Sequence, residues 1–356
     1  MAALFDPYTI RGVKLKNCIG MSPMCQYSAE DGLVNDWHII HLGSRAIGGV
    51  GLIIVEATAV EARGRITPAD LGIWEDRHVE GLNRIVNTVH AAGAAAAIQI
   101  AHAGRKASTE IPARGGASLS KDHGGWQVVG PSAVPFSPDH AIPHALSAKE
   151  IESIEKAFAE AARRAIEAEF DVLEIHGAHG YLISSFLSPL ANRRTDTYGG
   201  SFRNRCRFLL ETAQRVRAEW PEEKPLLVRL SCTDWIDGGW TIEETVELAK
   251  LLKNQGVDII DCSSGGNDPS ASPVRTKPGY QVPFSERVRS EAGVATAAVG
   301  MITKPEHAED IIANGQSDLV LLGRELLRNP YWAHSAALEL HADAPVPVQY
   351  VRAFKK

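Results

Sequence analysis

The run His176-Gly177-Ala178-His179-Gly180-Tyr181 sets two imidazoles and a phenol within six residues. Three chemistries suit such a set. Histidines three apart can share a metal ion on one helical turn. Alternatively, two imidazoles can donate hydrogen bonds to one substrate oxygen while a neighbouring phenol offers a transferable proton. The bland reading is two satisfied histidines in a polar loop. Gly177 and Gly180 argue against an ordinary helix, and a metal needs further ligands: His102 is a candidate, but no carboxylate or cysteine recurs with comparable regularity.

Such side chains must be carried by a scaffold, and the scaffold shows in the hydrophobic pattern. Eight short apolar, often β-branched runs occur at 18–21, 52–58, 95–101, 172–176, 226–230, 259–263, 296–299 and 319–322. Amphipathic stretches at three- and four-residue spacing follow them, among them 151–168, 208–219, 242–253 and 305–314. Ser147 with Glu150 and Thr241 with Glu244 have capping-box spacing, while Asn314-Gly315 and Gln255-Gly256 read as helix ends. Eight βα repeats predict one α/β domain over residues 1–356, a (β/α)8 TIM barrel. The irregular segment 103–146, rich in Gly, Pro and His, is expected to cap the barrel mouth as a lid-like insertion after the third strand.

Barrel enzymes work at the C-terminal ends of their strands. Residues suited to chemistry recur there: Cys25 and Tyr27 after the first run, Gln99 and His102 on the third, the histidine run after the fourth, Arg229 on the fifth and Ser263-Ser264-Gly265-Gly266 after the sixth. Gly300 follows the seventh and Gly323-Arg324 the eighth. Glycines that let backbone N–H groups come close, with a bidentate guanidinium, describe a phosphate cradle. The same glycines could merely relieve turns, and Arg324 could be a surface charge.

Composition narrows the partners. Basic residues number 37 against 43 acidic ones, a formal charge of −6, without the basic stripe a nucleic acid requires. The N-terminus lacks the pattern of a signal peptide, and Glu56 interrupts the most apolar stretch, so no membrane span is expected. Five scattered cysteines without a C-x-x-C pair suit a reducing cytoplasm.

The segments Ser22-Pro23-Met24-Cys25-Gln26-Tyr27, Gln99-Ile100-Ala101-His102-Ala103-Gly104-Arg105-Lys106, the histidine run, and Arg194-Thr195-Asp196-Thr197-Tyr198-Gly199-Gly200-Ser201 together resemble the Old Yellow Enzyme family of ene-reductases. The resemblance covers nearly the whole chain, and Cys25 with the compact C-terminus points to its bacterial xenobiotic-reductase-like branch. It implies tightly bound, non-covalent FMN, reduced by NADPH or NADH, and ping-pong reduction of activated C=C bonds. It assigns Gly300, Met301, Gly323 and Arg324 to the FMN phosphate end and Pro23, Met24, Cys25, Ala57, Gln99 and Arg229 to the ring. It makes His176 and His179 the clamp on a substrate carbonyl, Tyr181 the proton donor and Cys25 a modulator of the flavin. Tyr27 would line the substrate pocket, as a carbonyl donor or only as an aromatic wall. Gln349-Tyr350-Val351-Arg352 resembles a tail inserted into a neighbouring subunit's site, so that Arg352 would act in trans in a homodimer or homotetramer; beside Lys355-Lys356 it also reads as a solvated charge. One departure is Cys18, where the family usually has arginine. Rival readings are a metal-dependent barrel hydrolase or lyase on His102, His176 and His179, and a flavin-binding protein without turnover.

Overall fold

A run such as Leu52–Ala59, buried at every position, fits only a sheet covered on both faces. The computed structural model, described over residues 2–271 and 277–354, meets that demand by closure. Eight parallel strands form the closed barrel: β1 (Ile19–Met21), β2 (Leu52–Ala59), β3 (Ala95–Ala101), β4 (Val172–Gly177), β5 (Leu226–Ser231), β6 (Ile259–Ser263), β7 (Ala295–Val299) and β8 (Leu319–Leu322). Each pairs with its neighbours in chain order, and Val320 opposite Ile19 closes the ring. Helices pack outside: α1 (Asp36–Ile47), α2 (Val79–Ala91), α3 (Ala148–Glu167), α4 (Phe202–Glu219), α5 (Ile242–Asn254), α6 (Val282–Ala292), α7 (Pro305–Ala313) and α8 (Trp332–Glu339).

Local chemistry sets the boundaries. The Ser147 and Thr241 hydroxyls accept from the N–H groups of Glu150 and Glu244, as the capping boxes require. Helix α4 begins at Phe202 rather than at 208, because Ser201 caps it and its first turn is too polar to show in the apolar pattern. Strand β1 starts after Cys18, whose N–H is given to the Leu4 carbonyl and whose buried thiol faces the Asp6 carbonyl at 3.6 Å. There the thiol is a contact of the N-terminal turn, its pKa pushed up to about 12 by burial and then by Asp6. Two elements carry no sequence signal strong enough to be expected: a hairpin of Tyr8–Ile10 with Val13–Leu15, and a wholly buried helix, Leu182–Leu187.

Two irregularities shape the mouth. On β2 the register slips between Val55 and Thr58, so Glu56 and Ala57 together face the one residue Gln99 on β3. This β-bulge re-aims side chains: the Glu56 carboxylate accepts from the Gln26 N–H at 2.6 Å, while Ala57 lines a small hollow with Tyr181. Segment 103–146 contains short helical turns and a two-residue parallel pair, Val129–Gly130 with His144–Ala145. Its small apolar cluster of Ala103, Ala107 and Val128 has Tyr181 and Trp126 packed against it.

Arg105, buried to 2% exposure, ties this segment down by donating to the carbonyls of Val134, Pro135 and Asn267. Arg105→Ala leaves those carbonyls without their donor. Limited proteolysis should then cut the variant faster near Gly115 and Gly124 while the barrel keeps its circular dichroism; an unchanged cleavage rate would show that Arg105 does not hold the segment.

Candidate active site

Strand β4 delivers His176 and stops at Gly177. The chain then turns through two left-handed residues, His179 at φ 61° and Gly180 at φ 73°. At Gly180 nothing larger than hydrogen fits: a Cβ would lie 1.9 Å from the Gly266 carbonyl oxygen of the loop after β6. The strain at His179 costs about 1–3 kcal/mol and is offset by bonds around it. Its N–H donates to the Ser231 hydroxyl at 2.9 Å, and Lys106 Nζ donates to its carbonyl at 2.9 Å and to that of Gly266 at 3.2 Å. Tyr181 then opens the buried helix Leu182–Leu187. The result is three rings edge to face, His176 with centroids 5.2 Å from His179 and 5.0 Å from Tyr181.

Burial decides their charge. Both imidazoles are held well below the ordinary histidine pKa by desolvation first and by Arg229 second, so they are neutral at physiological pH. Their partners point to tautomers. His176 Nδ1 accepts from the Ala178 N–H at 3.4 Å, which leaves Nε2 to carry the proton. His179 Nε2 lies 2.7 Å from the Ser263 hydroxyl; when Ser263 donates, Nδ1 carries the proton. Each ring then keeps one N–H to offer. Tyr181 is pushed well above its usual value by burial, then by Cys25, Tyr27 and Asp70, and stays protonated. The Cys25 thiol is likewise raised, by burial and by Asp70 and Glu56.

Beneath the histidines, β3 to β6 carry Gln99, Glu174, Arg229 and Asp261 in adjoining registers, Gln99 opposite Glu174 and Arg229 opposite both His176 and Asp261. Gln99 Nε2 donates to Glu174 at 2.6 Å, which spends part of the amide expected to serve a ligand. Arg229 Nε lies 2.9 Å from Asp261. Sequence reasoning missed both carboxylates, although each stands at an inward position two residues from a flagged site: Glu174 before His176, Asp261 before Ser263.

A cavity of about 460 Å³ opens beside this floor, lined by His179, Arg229, Ser263, Gly300, Gly323 and Arg324 and, unforeseen, by Gln281 and Tyr280 at the start of α6. At Gly300, φ is 127° and a Cβ would meet Gln281 Nε2 at 2.9 Å, so a side chain there closes the cradle. Met301 adds a second left-handed residue on the rim. Arg324 is exposed and, among the described residues, makes no hydrogen bond or ion pair. A tight backbone turn, a hydroxyl and a free guanidinium fit a phosphate, and the buried Arg229, Gln99 and neutral imidazoles fit a polar ring deeper in.

The remaining expected residues are distributed as follows. Met24 sits at Gly323, where a Cβ would meet its sulfur at 3.7 Å, and Pro23 precedes it in the half-buried loop after β1. Tyr27, left-handed at φ 50°, stands beside Cys25; burial and that thiol raise its pKa. His102 does not join the histidine pair: Nε2 pairs with Glu61 at 2.8 Å and Nδ1 accepts from Gly104, so both ring nitrogens are committed. Arg352 lies on the terminal helix Val351–Phe354, outside the cavity lining; Tyr350 packs on Tyr331 and Phe354 on His334. A larger open cleft of about 910 Å³ runs between Lys16, the end of α2 and residues 345–350, away from every strand-end residue named above.

The family model of the NADH:flavin oxidoreductase / NADH oxidase family matches residues 3–343. An NADPH dehydrogenase of Geobacillus sp. (strain WCH70) is 52% identical over 354 residues, 99% of this chain and 98% of the relative. Among solved structures, morphinone reductase in complex with tetrahydroNAD superposes with a TM-score of 0.79 at 28% identity, covering 98% of this chain and 93% of that one. The old yellow enzyme homologue from Zymomonas mobilis gives 0.78 at 28%, over 97% and 95%. By the match over nearly its whole length, on a barrel of the same fold, the chain belongs to the NADH:flavin oxidoreductase / NADH oxidase family and is an Old Yellow Enzyme-like oxidoreductase that uses FMN with NAD(P)H as reductant.

Proposed function

We propose that this enzyme reduces activated C=C bonds, taking α,β-unsaturated carbonyls and related electrophilic alkenes. The observation that carries the reading is the pairing of two neutral imidazoles, each with an N–H to spare, with a protonated phenol 5.0 Å from one of them. A carbonyl oxygen that gains negative charge is stabilised by two preset donors held among buried groups. Gly300, Met301, Gly323 and Arg324 would hold the FMN phosphate, while Pro23, Met24, Cys25, Ala57, Gln99 and Arg229 would surround its ring. FMN, when bound, supplies the hydride that reaches the β-carbon.

His176 Nε2 and His179 Nδ1 hold the carbonyl oxygen and draw electron density from the alkene. Tyr181 gives its proton to the α-carbon and regains one from solvent. Its raised pKa keeps the donor form full through neutral and mildly alkaline pH, and presetting its geometry makes a weak acid sufficient. Tyr27 and Cys25 wall the same space. Segment 103–146 acts as the lid, a role supported by its contact with Tyr181. Arg352 reaches the site of a neighbouring copy in a homodimer or homotetramer; its exposure and its distance in the fold from its own cavity lining support that reading. Cytoplasmic location fits the five free thiols, and no described helix is long and apolar enough to cross a membrane.

The two half-reactions separate the roles. Tyr181→Phe should leave flavin reduction by NADPH nearly intact in anaerobic stopped flow and slow reoxidation by cyclohexenone by about 100- to 10,000-fold; equal loss in both steps would make Tyr181 a positioning group. Removing either imidazole should cost about 3–4 kcal/mol in the alkene step. A variant with both His176→Ala and His179→Ala should bind p-hydroxybenzaldehyde, titrated against the flavin absorbance, far more weakly than the parent, and retention of parental affinity would disprove the oxygen clamp.

A further inference from the structure

The floor of the site contains more acid than its neutral appearance needs. Glu174 and Asp261 are fully buried and Arg229 is 6% exposed. Asp261 has its guanidinium 2.9 Å away, yet the alignment is poor enough that neither carboxylate oxygen, nor Arg229 Nε, makes a hydrogen bond among the described residues. Glu174 Oε1 is also without a partner there, its other oxygen taken by Gln99. One guanidinium cannot neutralise two carboxylates, and two like charges cannot both stay ionised without water. The groups acting on Glu174 are Gln99 and Arg229 from the adjoining strands and Asp261 from the strand beyond Arg229, and His176 is the inward titratable neighbour on its own strand.

We propose that Glu174 and Asp261 form a buried proton store that binds one proton from solvent when the flavin beside Arg229 gains negative charge. The inference rests on FMN occupying the cavity that Arg229 lines. With one proton shared by the pair, the two carboxyls and Arg229 sum to zero. Hydride arriving from the reduced nicotinamide breaks its C–H bond, oxidises the nicotinamide and adds one negative charge to the flavin. That charge competes for the same guanidinium, so the carboxylate that had shared it forms an O–H bond with a solvent proton. Burial holds both carboxyls above the ordinary range, and Asp261 pushes Glu174 up further, so the added charge moves them the same way. By linkage, protonation of the pair raises the flavin's midpoint potential by the same coupling. Neither carboxyl touches substrate; both are positioning groups for charge.

The test is the midpoint potential of the bound flavin against pH, measured by dye equilibration in the parent and in the double variant Glu174→Gln, Asp261→Asn. For a two-electron couple each proton adds about 30 mV per pH unit. The parent should show about 60 mV per pH unit near neutrality and the double variant about 30; equal slopes overturn the proposal. Should the variant fail to fold, photoreduction of the parent in lightly buffered indicator solution decides. Two protons per two electrons, with an absorption spectrum showing only one on the ring, sustain the store. One proton in total, or two on the ring, overturns it. Absence of flavin absorbance would instead refute the cofactor's placement.

Discussion

Arg229 is a permanent positive charge buried at the mouth of the barrel, and the chemistry of the site depends on its placement. A guanidinium cannot shed its proton, so its neighbours must adjust. Asp261 provides the counter-charge at 2.9 Å. His176, in register with Arg229 on the adjoining strand, and His179 on the cavity wall are both driven neutral by burial reinforced by that charge. Neutral imidazoles can donate a hydrogen bond without first losing a proton, which is the condition under which the proposed oxygen clamp would act as a preorganised donor pair.

The frame that keeps these groups in place is built from backbone more than from side chains. The Gly180–Gly266 contact locks the loop after β4 to the loop after β6. Ser231 bridges the same two loops, accepting from His179 N–H and donating to the Gly265 carbonyl. The bulge in β2 turns Glu56 to the Gln26 N–H and Ala57 toward Tyr181. Lys106, its pKa lowered to about 8 by burial, holds two carbonyls of this frame while lying over the Phe136 and Tyr181 rings.

Much of this was legible in the sequence because barrel strands are short, apolar and separated by amphipathic helices. Strands β3, β6 and β8 fall where the pattern places them. The strand-end rule singled out His176, His179, Tyr181, Arg229, Gly300 and Arg324, which the structure places around the C-terminal end of the barrel. Two kinds of residue escaped it. Glu174 and Asp261 lie inside strands, where a single acidic residue reads as an interruption until the closed barrel shows both facing Arg229. Gln281 and Tyr280 enter the cavity from the start of a helix after a loop, and no local spacing announces that approach. His102 shows the converse: histidine type and strand position kept it in the rival metal reading, whereas its pairing with Glu61 is visible only in three dimensions.

The protonation state of the histidine pair is the most direct measure of this account. Ring nitrogen-15 chemical shifts of His176 and His179, followed from pH 8 to pH 5 in protein labelled at histidine, report it site by site. Both rings should stay neutral throughout, His176 protonated at Nε2 and His179 at Nδ1. Titration of either ring in that range would contradict the placement of Arg229 as the charge that sets the site.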